Sequence, residues 1–172
     1  MKLRHFLILF LLIGHTLWSQ ADYRELRETM VNTQLKARNI YQKATLDAML
    51  KVPRHAFVPD DMKPHAYRDG PLPIGEGQTI SQPYIVAFMT QALRLKKTYL
   101  VLEVGTGSGY QAAVLGEIVD SVFTIEIVEP LGIQAQKRLK SQGYQHVVVR
   151  IGDGYHGWKE KAPFDAIMVT AG

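Results

Sequence analysis

The stretch from Tyr99 to Val119 constrains the fold most, because it joins an apolar run to a helical pattern through a glycine-rich turn. The run Tyr99-Leu-Val-Leu-Glu-Val104 is typical of a buried strand, and the apolar residues from Tyr110 onward have helical spacing. Glycines at such a junction let the backbone turn sharply and let a ligand approach closely. Strand, glycine turn and helix in this order are typical of α/β folds that bind ligands at the carboxyl ends of their strands.

The same alternation continues to the end of the chain. Strands are predicted at Ser121–Glu126, His146–Ile151 and Phe164–Thr170, with a helix at Pro130–Gln142. Near-continuous apolar strands separated by helices favour a parallel sheet that is buried on both faces. We therefore predict an α/β, Rossmann-like doubly wound sheet over residues 99–172. Because the chain stops just past its fourth strand, we expect the sheet to be C-terminally truncated.

Helical periodicity also marks the region before the sheet. Apolar residues recur at three- and four-residue steps over Asp22–Asn39 and over Gln42–Val52, and a third helix is predicted at Pro83–Leu95. The segment Val58–Gly77 is rich in Pro, Gly, Asp and His and is predicted to be an ordered loop. Residues 22–98 are thus predicted to hold N-terminal helices and a loop that serves the site.

The first 21 residues have the zones of a secretory signal peptide in the expected order. Lys2 and Arg4 precede the apolar run Phe6–Ile13, and the small-residue step Ser19-Gln-Ala21 follows it. We predict cleavage after Ala21 and export to the periplasm; the alternatives are an uncleaved anchor and a cytoplasmic protein. The apolar run is short for a membrane span of about 20 residues, so no stable span is expected after cleavage.

Composition excludes several kinds of site. The chain has no cysteine, which rules out disulfides, thiolate catalysis and cysteine-ligated zinc. Its six histidines lack metal-binding spacing, so no metal site is predicted. The formal net charge of +4 arises from lysines and arginines scattered among acids, without the stripe that nucleic acids require. We expect a monomer that binds no nucleic acid.

The glycine spacing argues against a dinucleotide ligand. Counted from Gly105, the third glycine of a G-x-G-x-x-G fingerprint would fall on Tyr110. The chain instead has an acid, Glu103, before glycines at Gly105, Gly107 and Gly109. A carboxylate there suits a ligand with an ammonium group, through a charge-assisted hydrogen bond. The alternative is an ordinary strand-end acid beside a tight turn.

Two further acids follow the next two strands. Glu126 ends the second strand of the sheet, where an acid accepts hydrogen bonds from a ribose diol. We prefer it to Glu129, which is expected to open the next helix. Asp153, flanked by glycines after the third strand, either accepts from an adenine amino group or is a plain turn residue. Three acids at successive strand ends together predict a nucleoside pocket.

Several segments together resemble the protein-L-isoaspartate O-methyltransferase family. They are Val101-Leu-Glu-Val-Gly-Thr-Gly-Ser-Gly-Tyr-Gln111, Gly77-Gln-Thr-Ile-Ser-Gln-Pro-Tyr84, Gly152-Asp-Gly154, Pro53-Arg-His-Ala-Phe-Val58, Leu72-Pro-Ile-Gly75 and Ala162-Pro-Phe-Asp-Ala-Ile167. Many methyltransferases share the glycine loop, whereas the Gly-Gln-Thr-Ile-Ser-Gln-Pro segment is much narrower and decides the subfamily. The resemblance covers nearly all of the chain after the predicted signal peptide.

The resemblance implies a fold that binds S-adenosyl-L-methionine and methylates the α-carboxylate of L-isoaspartyl residues in damaged proteins and peptides, which starts their repair. It implies that Ser81 and Thr79 act at the acceptor carboxylate. It also implies a set of cofactor contacts, which are Ile80, Glu103, Gly105, Thr106, Gly107, Gly109, Glu126, Ile127, Asp153 and Gly154. Ile127 departs from the family pattern, which often has an arginine there.

Elementary chemistry suits this assignment, because a carboxylate is already ionised at pH 7 and needs positioning more than a strong base. The hydroxyls of Ser81 and Thr79 would hold it, whereas a nucleophilic role is disfavoured because no G-x-S-x-G motif surrounds Ser81. Both residues could instead cap the helix that begins at Pro83. Two other functions stay open: a methyltransferase of the same fold that acts on a small molecule, and an inactive, truncated cofactor-binding module.

Overall fold

The structure, a computed structural model, describes residues 23–171. The predicted signal peptide at residues 1–21 lies outside this range. Within the range, no helix has the length and apolar content needed to cross a membrane.

Three helices precede the sheet, as the periodicity predicts. They are α1 (residues 23–29, continued by a π turn at Met30–Leu35 and a 3₁₀ turn at Lys36–Arg38), α2 (Lys43–Lys51) and α3 (Pro83–Ala92). Met30, Leu35 and Met49 from the predicted apolar faces are fully buried in the core.

The segment predicted to be a loop contains regular structure. After 3₁₀ turns at Arg54–Phe57 and Asp60–His65, an antiparallel hairpin forms from β1 (Leu72–Gly75) and β2 (Gln78–Ile80). The prediction of an ordered loop over Val58–Gly77 was therefore wrong in this part. Strands of four and three residues are too short for their alternation to stand out in the sequence.

The central sheet has four parallel strands in the order β5-β4-β3-β6. They are β3 (Leu100–Val104), β4 (Ser121–Glu126), β5 (Val147–Ile151) and β6 (Ala166–Val169), with α4 (Tyr110–Gly116) and α5 (Glu129–Ser141) joining the first three. The predicted Rossmann-like α/β fold is confirmed. Because the strand order reverses between β3 and β6, a crevice is expected at their carboxyl ends.

Helix α4 is the centre of the packing between the sheet and the N-terminal helices. Every residue from Tyr110 to Leu115 is buried, and the helix contacts β4 on one side and α2 and α3 on the other. The Tyr110 ring meets Phe57 edge-on, with 5.6 Å between the ring centroids. This packing holds the N-terminal part of the chain against the sheet.

Candidate active site

A cavity of about 360 Å³ opens at the carboxyl ends of β3, β4 and β6. Its volume is in the range of small-molecule sites. Eight of the residues predicted for the site line it: Thr79, Ile80, Ser81, Gly105, Thr106, Gly107, Glu126 and Ile127. The fold thus brings the end of the hairpin and the glycine loop to one cavity, although they are separate in sequence.

Gly105 must be glycine for two reasons. Its φ of 101° lies in the region that other residues rarely adopt, and an added Cβ would stand 2.6 Å from Thr170 Oγ1 and 2.9 Å from the Ala171 nitrogen. The amides of Gly105 and Thr106 both donate to the carbonyl of Ile125, at 2.9 and 3.2 Å. The loop is therefore fixed between the ends of β4 and β6.

Glu126 lies under the glycine loop, where its carboxylate organises the cavity floor. One oxygen accepts from the Gly107 amide at 2.6 Å and the other from the Val128 amide at 2.9 Å. Each carboxylate oxygen has a second lone pair, so Glu126 keeps the capacity to accept from ligand hydroxyls. Glu129 begins α5, is exposed and does not line the cavity.

Glu103 lies behind the glycine loop and not on the cavity wall that was predicted for it. Its side chain is fully buried, and Oε2 accepts from Thr124 Oγ1 at 2.6 Å. Thr124 Oγ1 in turn lies 2.7 Å from the hydroxyl of Thr106, which lines the cavity. The three side chains thus form a continuous hydrogen-bonded row from the buried acid to the cavity wall.

Burial dominates the ionisation of Glu103. It raises the pKa of this carboxyl to about 8; the Thr124 hydrogen bond acts in the opposite direction, and the charge of Glu126 adds to the rise. Burial therefore favours the neutral, protonated form of Glu103. A neutral, buried acid supports the loop from behind through Thr124 and Thr106 and does not present a charge to a ligand.

Asp153, Gly154 and Gly109 also lie off the cavity wall. Asp153 is exposed, and its Oδ1 accepts from the Tyr155 amide at 2.8 Å, which is the plain turn role that the sequence left open. A Cβ on Gly154 would overlap the Val104 side chain. Gly109 precedes α4 with a φ of 86° and faces Leu139.

Thr79 lies in β2, Ser81 directly follows that strand, and both residues line the cavity. The alternative that they cap α3 does not hold, because the cap position is Gln82 and no side chain caps this helix end. Within residues 23–171, neither hydroxyl makes a hydrogen bond to another protein group. Both are therefore available to a ligand.

The sequence analysis missed several residues that line the cavity. They are Gln78, Val86, Ser108, Tyr110, Gln111, Val128, Thr170 and Ala171. Thr170 and Ala171 follow the fourth strand, so the rule that singled out Glu126 also applied to them. Within the described residues, no group of three His, Asp or Glu side chains is placed to hold a metal ion.

Comparisons with known proteins agree on one family. The model of the family "Protein-L-isoaspartate(D-aspartate) O-methyltransferase (PCMT)" matches residues 25–172. A protein-L-isoaspartate O-methyltransferase of Opitutus terrae is 62% identical over 168 residues, which cover 96% of this chain and 72% of that protein. One from a Synechococcus strain is 61% identical over 145 residues, which cover 84% of this chain and 59% of that protein.

Solved structures show the same fold. A protein-L-isoaspartate O-methyltransferase superposes with a TM-score of 0.78 at 30% identity, covering 85% of this chain and 48% of that one. A Plasmodium falciparum candidate for the same activity, solved with S-adenosyl-L-homocysteine, gives a TM-score of 0.71 at 24% identity and covers 87% of this chain and 73% of that one. The chain thus spans between about half and three quarters of the length of these relatives.

Proposed function

Because the chain belongs to the protein-L-isoaspartate(D-aspartate) O-methyltransferase family, we propose that it transfers a methyl group from S-adenosyl-L-methionine to the α-carboxylate of L-isoaspartyl residues. The acceptors are damaged proteins and peptides. One observation carries the proposal beyond the family: the free hydroxyls of Thr79 and Ser81 share a cavity with Glu126 and the glycine loop.

The residues on the cavity wall fit the nucleoside end of the cofactor. Glu126 is an acceptor at the carboxyl end of β4, the position from which an acid binds a ribose diol in this kind of sheet. Gly105 and Gly107 present backbone without side chains, so a ligand can approach the loop closely. When bound, S-adenosyl-L-methionine would supply an electrophilic methyl group on a positively charged sulfonium.

The protein's own part in the reaction is then to hold the acceptor. An α-carboxylate is ionised at neutral pH, so no group has to remove a proton from it. The hydroxyls of Ser81 and Thr79 would donate hydrogen bonds to one carboxylate oxygen and leave the other oxygen free to accept the methyl group.

Methyl transfer to an isoaspartyl peptide and to its normal aspartyl twin tests the proposal. We expect transfer to the isoaspartyl peptide alone. Equal rates on both peptides, or transfer only to a small molecule, would assign the chain to another methyltransferase activity. Tight binding of S-adenosyl-L-homocysteine by calorimetry without any turnover would make it a cofactor-binding module.

We further propose that residues 1–21 direct export and that the mature protein is a monomer. The order of charged, apolar and small-residue zones supports the first point. Light scattering during size-exclusion chromatography tests the second, with a dimer mass as the contrary result.

A further inference from the structure

Arg54 is a fully buried arginine directly beneath the Thr79–Ser81 segment. Its Nη2 donates to the carbonyl of Ser81 at 2.7 Å, and its Nε donates to the carbonyl of Ala66, also at 2.7 Å. The guanidinium carbon lies 4.9 Å from the centre of the Tyr110 ring. Arg54 thus connects the first residue of α4 with two separate segments of the N-terminal part.

No acid compensates this charge within residues 23–171, since no carboxylate lies within salt-bridge distance of Arg54 there. Burial lowers the pKa of Arg54, but an arginine stays charged at neutral pH. Its Nη1 is buried and has no hydrogen-bond partner among the described residues. A buried charge without a partner is costly, and apolar residues of similar volume usually serve stability as well or better. Fold stability alone therefore gives a poor account of an arginine here.

The hydrogen bond to Ser81 gives a better account. The Ser81 carbonyl belongs to the residue whose hydroxyl faces the cavity, and α3 begins two residues later at Pro83. Ser81 is also past the last paired residue of the hairpin, Ile80, so the sheet ladder does not hold it. The Arg54 bond is the contact that fixes the backbone of Ser81 from below.

We propose that Arg54 is a positioning residue, which holds the Thr79–Ser81 segment in the geometry needed to bind the acceptor carboxylate. This inference rests on the proposed function for its catalytic meaning. The placement of the segment itself, however, can be measured without turnover.

Hydrogen exchange resolved by mass spectrometry, on the full chain, is the deciding experiment. We compare the wild type with Arg54→Met, which cannot donate, and with Arg54→Lys, which can serve one carbonyl. Met30→Ala is the matched control, because it weakens the buried core of α1 without removing a bond to the segment. Residues 78–82 are expected to exchange about tenfold faster or more in Arg54→Met, relative to β3 and β4, and to be partly protected again in Arg54→Lys. If Arg54→Met does not fold, the comparison of exchange in residues 78–82 between Arg54→Lys and Met30→Ala decides the role of Arg54.

Kinetics on an isoaspartyl peptide provide the second measurement. Loss of positioning should lower kcat about tenfold or more in Arg54→Met, with part of the loss restored in Arg54→Lys and little change in the KM for S-adenosyl-L-methionine. Met30→Ala should leave kcat unchanged at a temperature where it is folded. The inference would be overturned if the exchange rates of residues 78–82 changed in every variant by the same factor as those of β3 and β4. A wild type without turnover would remove the proposed function, while the exchange data would still decide the role of Arg54.

Discussion

The hydroxyls of Ser81 and Thr79 have no structural role that would account for them. Their hydroxyls cap no helix, and the cavity offers them no protein partner within the described residues. A hydroxyl that bonds neither backbone nor side chain contributes little to the stability of the fold. Its replacement should therefore change ligand binding more than the free energy of unfolding.

The first prediction concerns Ser81→Ala. Removal of a hydrogen bond to a charged acceptor costs about 1.5–3 kcal/mol, so kcat/KM for an isoaspartyl peptide should fall roughly 10- to 100-fold. The affinity for S-adenosyl-L-homocysteine should change little. Thr33→Ala is the control, because Thr33 bonds its own helix on the exposed side of α1. An unchanged kcat/KM in Ser81→Ala would remove the hydroxyl from the mechanism.

The second prediction concerns Glu103 and pH. Its folded pKa of about 8 lies above the ordinary value of 4.5, so the folded protein holds a proton that unfolding releases. The free energy of unfolding should therefore fall as pH rises through the window between these two values, by at most about 1.4 kcal/mol per unit, and level off above it. Glu103→Gln should flatten this dependence in urea titrations. Parallel pH profiles for the two proteins would show that Glu103 is ionised in the fold.

At the scale of elements, the sequence predicted the strands and helices around the glycine loop but not the hairpin. The strands and helices after Tyr99 were predicted to within a few residues, because buried parallel strands are apolar throughout and their helices are periodic. The hairpin β1–β2 was missed because its strands are too short to show a pattern.

The directions of the side chains in the site were harder to predict from the sequence than the positions of the residues. The position of Glu103 at the end of a strand was predicted correctly, but position did not reveal that its carboxyl points behind the loop toward Thr124. The buried Arg54 carries no sequence signal of its own, since arginines are usually exposed. Contacts between distant segments, unlike periodicity, depend on the assembled fold.

The third prediction tests the loop. Gly105→Ala should destabilise the protein by about 1–3 kcal/mol and weaken S-adenosyl-L-homocysteine binding at least about tenfold, since the new Cβ would collide with Thr170 and Ala171. Gly143→Ala is the matched control: its φ of 88° imposes the same backbone strain, but nothing lies within 4 Å of the added atom. Calorimetry should show normal affinity for the control. Equal affinities in both variants would mean that the loop tolerates displacement.

At the scale of the whole molecule, the fourth prediction concerns export. If residues 1–21 are a cleaved signal, the protein recovered from the periplasmic fraction of a bacterial host should begin at Asp22 by intact mass. Leu9→Arg combined with Leu11→Arg interrupts the apolar run, so that variant should stay unprocessed in the cytoplasm. A wild-type protein that keeps Met1 and fractionates with the cytoplasm would contradict the prediction.

Two regions of the chain line the cavity: the end of the hairpin with the first turns of α3, and the loops of the sheet. Any ligand in the cavity contacts both regions and therefore links them. By mass action, such a ligand stabilises the assembled state over states in which the N-terminal helices have come away from the sheet. Occupancy should therefore register as slower cleavage by proteases around Lys96 and Lys97, two exposed residues between the regions that lie outside the cavity.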